Sequence, residues 1–140
     1  MKGRGRHESR TKLENAACEE MVRQAVPHEH HSLHFRVRDA RGEGKYSPAI
    51  VARRGPILFL VEPVATTMRP VIERLTRFLE QHSAEIVLVV IAPDAEITKI
   101  PPEAYDEIYP ESDLARMVQR IREQDPEGLV RPFEKPRPAG

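Results

Sequence analysis

One glutamate closes an otherwise apolar strand in "ILFLVEPV", residues 57–64, and four imidazoles crowd into "PHEHHSLH", residues 27–34. A lone carboxylate at the end of a buried strand, Glu62, is a candidate catalytic acid. It also reads as a strand-end group meeting solvent or an arginine. Imidazoles two residues apart share a face in an extended segment, and histidine is the commonest transition-metal ligand. His28 and His30, with His31 and His34 beside them, are therefore candidate ligands or a surface cluster titrating near neutral pH. Neither the helical H-E-x-x-H pattern nor a Cys/His zinc spacing occurs, and Cys18 has no partner thiol.

A second chemistry is cationic. Arg36 and Arg38 alternate with apolar residues, Arg53 and Arg54 follow in a turn, and Arg4 and Arg6 stud the opening "MKGRGRHESRTK". Such a set can track a phosphate backbone, with affinity that falls steeply as salt rises, or form an ordinary solvated face. Three tyrosines, four phenylalanines and no tryptophan give little for base stacking. No P-loop, G-x-S-x-G or dinucleotide glycine fingerprint is present, which removes nucleotide-dependent and serine-hydrolase readings.

The elements that must position these groups follow from periodicity. Leu13, Ala16, Ala17, Met21 and Ala25 predict a helix over residues 13–26 that Pro27 ends. "SLHFRVR" alternates strictly and predicts a half-buried strand with a cationic outer face, and "DARGEGKYSP" predicts a loop. Residues 49–52 and 57–61 predict a hairpin, the second strand covered on both faces. Thr66 or Thr67 offers a cap to a helix carrying Met68, Val71, Ile72, Leu75, Phe78 and Leu79. "EIVLVVIAP" predicts a central parallel strand. A short strand is expected at 97–100, a turn or short helix near Tyr105, and a helix from 113 to 124 capped by Ser112. The fold class is α/β, a mixed central sheet flanked by helices.

The chain has 140 residues, 39% hydrophobic and 31% charged, enough for one globular domain with a real core. The expected division is a basic N-terminus at 1–12, a domain at 13–125 and a Pro-rich tail at 126–140. Residues 1–60 hold 12 Lys/Arg against 7 Asp/Glu, and residues 61–140 hold 10 against 15, so a net charge of zero hides a basic and an acidic half. No apolar run reaches the ~18–20 residues of a membrane helix, and the start lacks a signal-peptide core. One cysteine and no leader predict a cytoplasmic protein.

Helix, three strands, helix, strand, with "SPAIVARRGPILFLVEPV" as the hairpin, resembles the PD-(D/E)XK nuclease superfamily, whose core is αβββαβ and restriction-endonuclease-like. The family places an Asp, often after Pro, at the start of the second strand, and a Glu, one spacer and a Lys at the end of the third. Laid on this chain, Pro48 matches the Pro, Ala49 falls at the Asp, Glu62 at the Glu, Pro63 at the spacer and Val64 at the Lys. The 13-residue step from Ala49 to Glu62 looks most like archaeal Holliday-junction resolvases. "KGRGRHESRTKLE" looks like their glycine-then-glutamate opening, making Glu8 the first-helix acid, with Glu14 and Glu19 as competing candidates.

The resemblance implies two things. Without the Asp and the Lys, the Mg²⁺ site that it brings is degenerate, and no cofactor is expected. A pseudo-nuclease is then a nucleic-acid-binding or protein-interaction module, a homodimer as the resolvases are, with DNA or RNA as partner. An active alternative would use Mg²⁺ on Glu62, with Lys45, Arg69 or Arg74 lending a cation and Glu8, Glu14 or Glu43 a carboxylate. A third reading is a regulatory subunit whose segment from Asp94 onward docks on a protein through Tyr105, Tyr109 and Phe133.

Overall fold

Thr11 starts the first helix by accepting the Glu14 N–H on its Oγ1 at 3.0 Å. A computed structural model describes residues 11–39, 42–65, 67–82 and 85–124. Helix α1 spans Lys12–Arg23 and buries Leu13, Ala17 and Met21. It does not run on to Pro27. Ala25 takes a left-handed φ of 60°, its N–H reaches Val22 O, and the Val26 N–H reaches Met21 O at 2.8 Å. That pair of bonds is a Schellman stop, here with alanine where glycine is usual, and it ends the helix four residues before the proline.

The chain then gives β1 (Glu29–His30), β2 (Phe35–Asp39), β3 (Gly42–Tyr46), β4 (Ile50–Arg54) and β5 (Ile57–Pro63). Helix α2 (Arg69–Gln81), β6 (Ile86–Ala92), β7 (Glu107–Pro110) and α3 (Leu114–Arg122) follow. The main sheet has the order β1-β4-β5-β6-β7; its first two pairings are antiparallel and its last two parallel. A mixed sheet flanked by helices is what the apolar β5 and β6 led one to expect.

β6 divides the core by simple alternation. Val87, Val89 and Ile91 face α1 and α3 with Met21, Phe59, Met117 and Ile121. Leu88, Val90 and Ala92 face α2 with Leu60, Leu75, Phe78 and Ile100.

Several expectations are corrected. The alternating segment around Phe35 does not join the main sheet; it pairs with β3 as a separate hairpin laid on α2. Its exposure still alternates as expected, with His34, Arg36 and Arg38 outward and Val37 buried. The strand that enters the sheet is the two-residue β1. The supposed loop contains β3, because the glycines at 42 and 44 leave no side-chain pattern to read although the backbone pairs fully.

Residues 94–99 form a 3₁₀ helix, not a strand, and β7 occupies residues for which no strand was expected. β7 is an edge strand, where Pro110 is tolerated. Neither Thr67 nor Ser112 caps a helix. Thr67 gives its N–H and hydroxyl to Glu96, and the Ser112 N–H goes to Asp94. Those bonds hold both carboxyls below their ordinary range. Thr66, residues 1–10 and the Pro-rich tail, with Phe133, lie outside the described residues. No helix among the described residues is long and apolar enough to cross a membrane.

Candidate functional site

Glu62 lies next to the last residue of β5, in parallel register with Val90. It therefore stands at the carboxyl edge of the parallel strands, where crevices of open α/β sheets take ligands. The hairpin register brings Ala49 alongside, just before Ile50, which pairs with Val61. Glu62 Oε1 accepts two bonds there, from the Tyr46 hydroxyl at 2.8 Å and the Ala49 N–H at 3.3 Å.

Burial pushes the Glu62 carboxyl up from 4.5 to about 7. The Tyr46 and Ala49 bonds pull the other way, and the charge of Glu14 on α1 adds to the rise. Tyr46 is itself pushed up, by burial first and then by Glu62.

Beside this pair a cleft of about 360 Å³ opens between β3, β5 and α2. Tyr46, Ser47, Glu62, Pro70, Val71, Arg74 and Leu75 line it. Arg74 is braced by donating to Lys45 O at 2.9 Å. Ser47 Oγ is buried on the wall and makes no hydrogen bond. A cleft of this size with apolar walls and a few polar groups is the usual form of a binding site.

The candidate residues are distributed as follows. Of the three first-helix acids, Glu14 is buried and acts on Glu62, Glu19 is exposed, and Glu8 lies outside the described residues. Lys45 is exposed on β3, one residue before Tyr46. Arg36 and Arg38 are exposed on β2, and Arg38 stands 3.7 Å from Glu43. Arg53 and Arg54 are at the far end of the β4–β5 hairpin, where Arg54 pairs with Ile57 and donates to Arg122 O. Five strand residues separate that end from Glu62, roughly 17 Å. Arg4 and Arg6 lie outside the described residues. Arg36, Arg38, Arg53 and Arg54 are thus not gathered at Glu62. Of the cations named from sequence, Arg74, which lines the cleft with Glu62, and Lys45, whose carbonyl Arg74 bonds, are closer.

The Mg²⁺ site of the nuclease superfamily does not fit these residues. Ala49 is buried and offers no side-chain oxygen, and Val64 is buried in the core beneath α2. The oxygen Oε1 of Glu62 is already engaged by two donors of the protein.

His28 and His30 do come together, and Cys18 joins them. A ligand atom from each of the three lies within 4.8 Å of the others. The spacing of His28 and His30 was legible in the sequence. The part of Cys18 was not, because ten residues and a helix reversal separate it from His28. Comparison with family models, with curated proteins and with solved structures returns no match.

Proposed function

We propose that this chain is a nuclease-like fold that binds nucleic acid without cutting it, through the cleft beside Glu62. The observation that carries the reading is the state of the would-be catalytic positions. Ala49 and Val64 are core residues, and Glu62 is turned into an internal clasp with Tyr46. The topology supports it: α1, β1, β4, β5, α2 and β6 follow the αβββαβ order, with the third and fourth core strands parallel.

Arg74, the unsatisfied Ser47 hydroxyl and the exposed Lys45 provide a cation and a donor for a phosphate oxygen. A carboxyl that titrates near 7 repels that anion less than an ordinary glutamate. The test is a mobility-shift and cleavage assay on four-way junction and duplex DNA, with Mg²⁺ or Mn²⁺ present. We expect a retarded complex that weakens with salt and with Arg74→Ala, and intact DNA. No complex at low salt would overturn the nucleic-acid assignment.

A second reading, a divergent nuclease, draws on the charge of Glu14 acting on Glu62, which sets two carboxylates in one region. Divalent-dependent cleavage by wild type that Glu62→Ala abolishes would establish it in place of the first.

A further inference from the structure

We propose that Cys18, His28 and His30 form a Zn²⁺ site, built where α1 crosses the edge strand β1. The site is independent of the Glu62 cleft reading.

Two periodicities meet there. Glu14 and Cys18 are four apart on α1 and so stack on one face of the helix. His28 and His30 are two apart in the extended segment entering β1 and share one of its faces. The Schellman turn at Ala25 reverses the chain between them. A second left-handed residue, His31 at φ 51°, comes directly after His30. Two strained non-glycine residues thus bracket the segment that carries both imidazoles. Such strain concentrates where the fold holds a functional geometry.

The donor atoms are also directed. Cys18 Sγ is 3.3 Å from His28 Nε2. Two ligands of a tetrahedral zinc, one sulfur and one nitrogen, stand about 3.5 Å apart given ordinary bond lengths. His28 Nδ1 bonds to Val26 O at 2.9 Å, which makes Nε2 the nitrogen with the lone pair. His30 Nδ1 bonds to Glu14 Oε2 at 2.8 Å, fixing that ring's tautomer in the same way. The two rings meet edge-on, 73° apart with centroids at 5.1 Å. Backbone carbonyl and carboxylate partners behind each imidazole are the usual outer support of a metal-bound histidine. His31 Nε2 stands 3.6 Å from the same Glu14 oxygen.

Thiolate with two imidazoles selects zinc over Mg²⁺ or Ca²⁺, and three protein ligands leave one tetrahedral position for water. All three residues are only half-buried, so an ion can enter.

The test uses the full chain, reduced and freed of metal with a chelator. Titration with Co²⁺ should give one equivalent of a tetrahedral visible spectrum with a thiolate-to-cobalt charge-transfer band, and Zn²⁺ should displace it. Cys18→Ser and His28→Ala should remove the charge-transfer band or its tetrahedral companion, and His34→Ala should leave both intact. Glu14→Gln should weaken Zn²⁺ binding on the order of 10–100-fold, as expected for a residue that orients a ligand.

Because Cys18 is the only cysteine, wild type provides a readout that no variant's folding can confuse. Equimolar Zn²⁺ should slow alkylation of Cys18 by iodoacetamide at least tenfold. An alkylation rate indifferent to Zn²⁺, or a Co²⁺ spectrum without the thiolate band, would overturn the assignment.

Discussion

At the scale of single residues, Glu62 couples the cleft to pH. Its carboxyl is lifted from 4.5 to about 7 because burial outweighs the bonds from Tyr46 and Ala49. The folded state therefore holds a proton that the unfolded state releases between these two values. Stability that Glu62 contributes is complete below about 4.5 and is lost as pH rises through about 7. The ceiling on that loss is about 3 kcal/mol. Glu62→Gln keeps an acceptor for Tyr46 and Ala49 but cannot ionise. We expect it to match wild type near pH 4.5 and to exceed it by about 1–3 kcal/mol at pH 8. Urea midpoints at the two pH values measure this. Equal pH slopes in the two proteins would show that Glu62 ionises freely. The identity of Glu62 and its place at a strand end were legible in the sequence. Its proton was not, since that depends on Tyr46, which reaches it from β3 across 16 residues.

Among the elements, α1 ends under strain. Ala25 adopts a φ of 60°, and a Cβ in that region costs roughly 1–2 kcal/mol. Ala25 is exposed, so nothing is gained from its methyl group by packing. Ala25→Gly relieves the strain at some cost in unfolded-chain entropy, for a net gain of about 0.5–1 kcal/mol. We expect its thermal midpoint to rise by about 2–4 °C, measured by circular dichroism, and an unchanged or lower midpoint would contradict the assigned turn.

The same stop explains one misreading of the chain: Pro27 looks like the end of the helix, yet two backbone bonds end it earlier. The β2–β3 hairpin explains another. Phe35 and Val37 gave the correct inward face, but alternation records only that a face is covered. Here the cover is Phe78 of α2 and His82 just past its end, with ring centroids 5.0 and 5.1 Å from Phe35. By contrast β5, β6 and the stripe of Leu75, Phe78 and Leu79 were plain, because burial on one or both faces writes itself into every position.

For the molecule as a whole, the sheet has a rigid middle and a loosely attached flank. β6 is bonded on both sides, by β5 and β7, and every residue from Val87 to Ala92 is buried. Opening it exposes both halves of the core at once. Beyond its own ladder, the β2–β3 hairpin has the Tyr46 hydroxyl bond to Glu62 of β5 and its seat on α2. It is held there by Phe35, by Tyr46 against Phe78, and by two bonds between Arg38 and Gln81. It also carries Tyr46 and Lys45, which together supply one wall of the cleft and the brace for Arg74. The flank that completes the site is thus the part that opens most cheaply, as expected of binding elements. Native-state hydrogen exchange separates the two levels. Amides of Leu88 to Ile91 should exchange only through global unfolding, with a steep dependence on denaturant. Amides in the β2–β3 ladder should exchange through a local opening that denaturant hardly alters, at a free energy lower by about 2 kcal/mol or more. If both sets follow the same steep line, the hairpin is part of the cooperative core, and the cleft opens only when the protein unfolds.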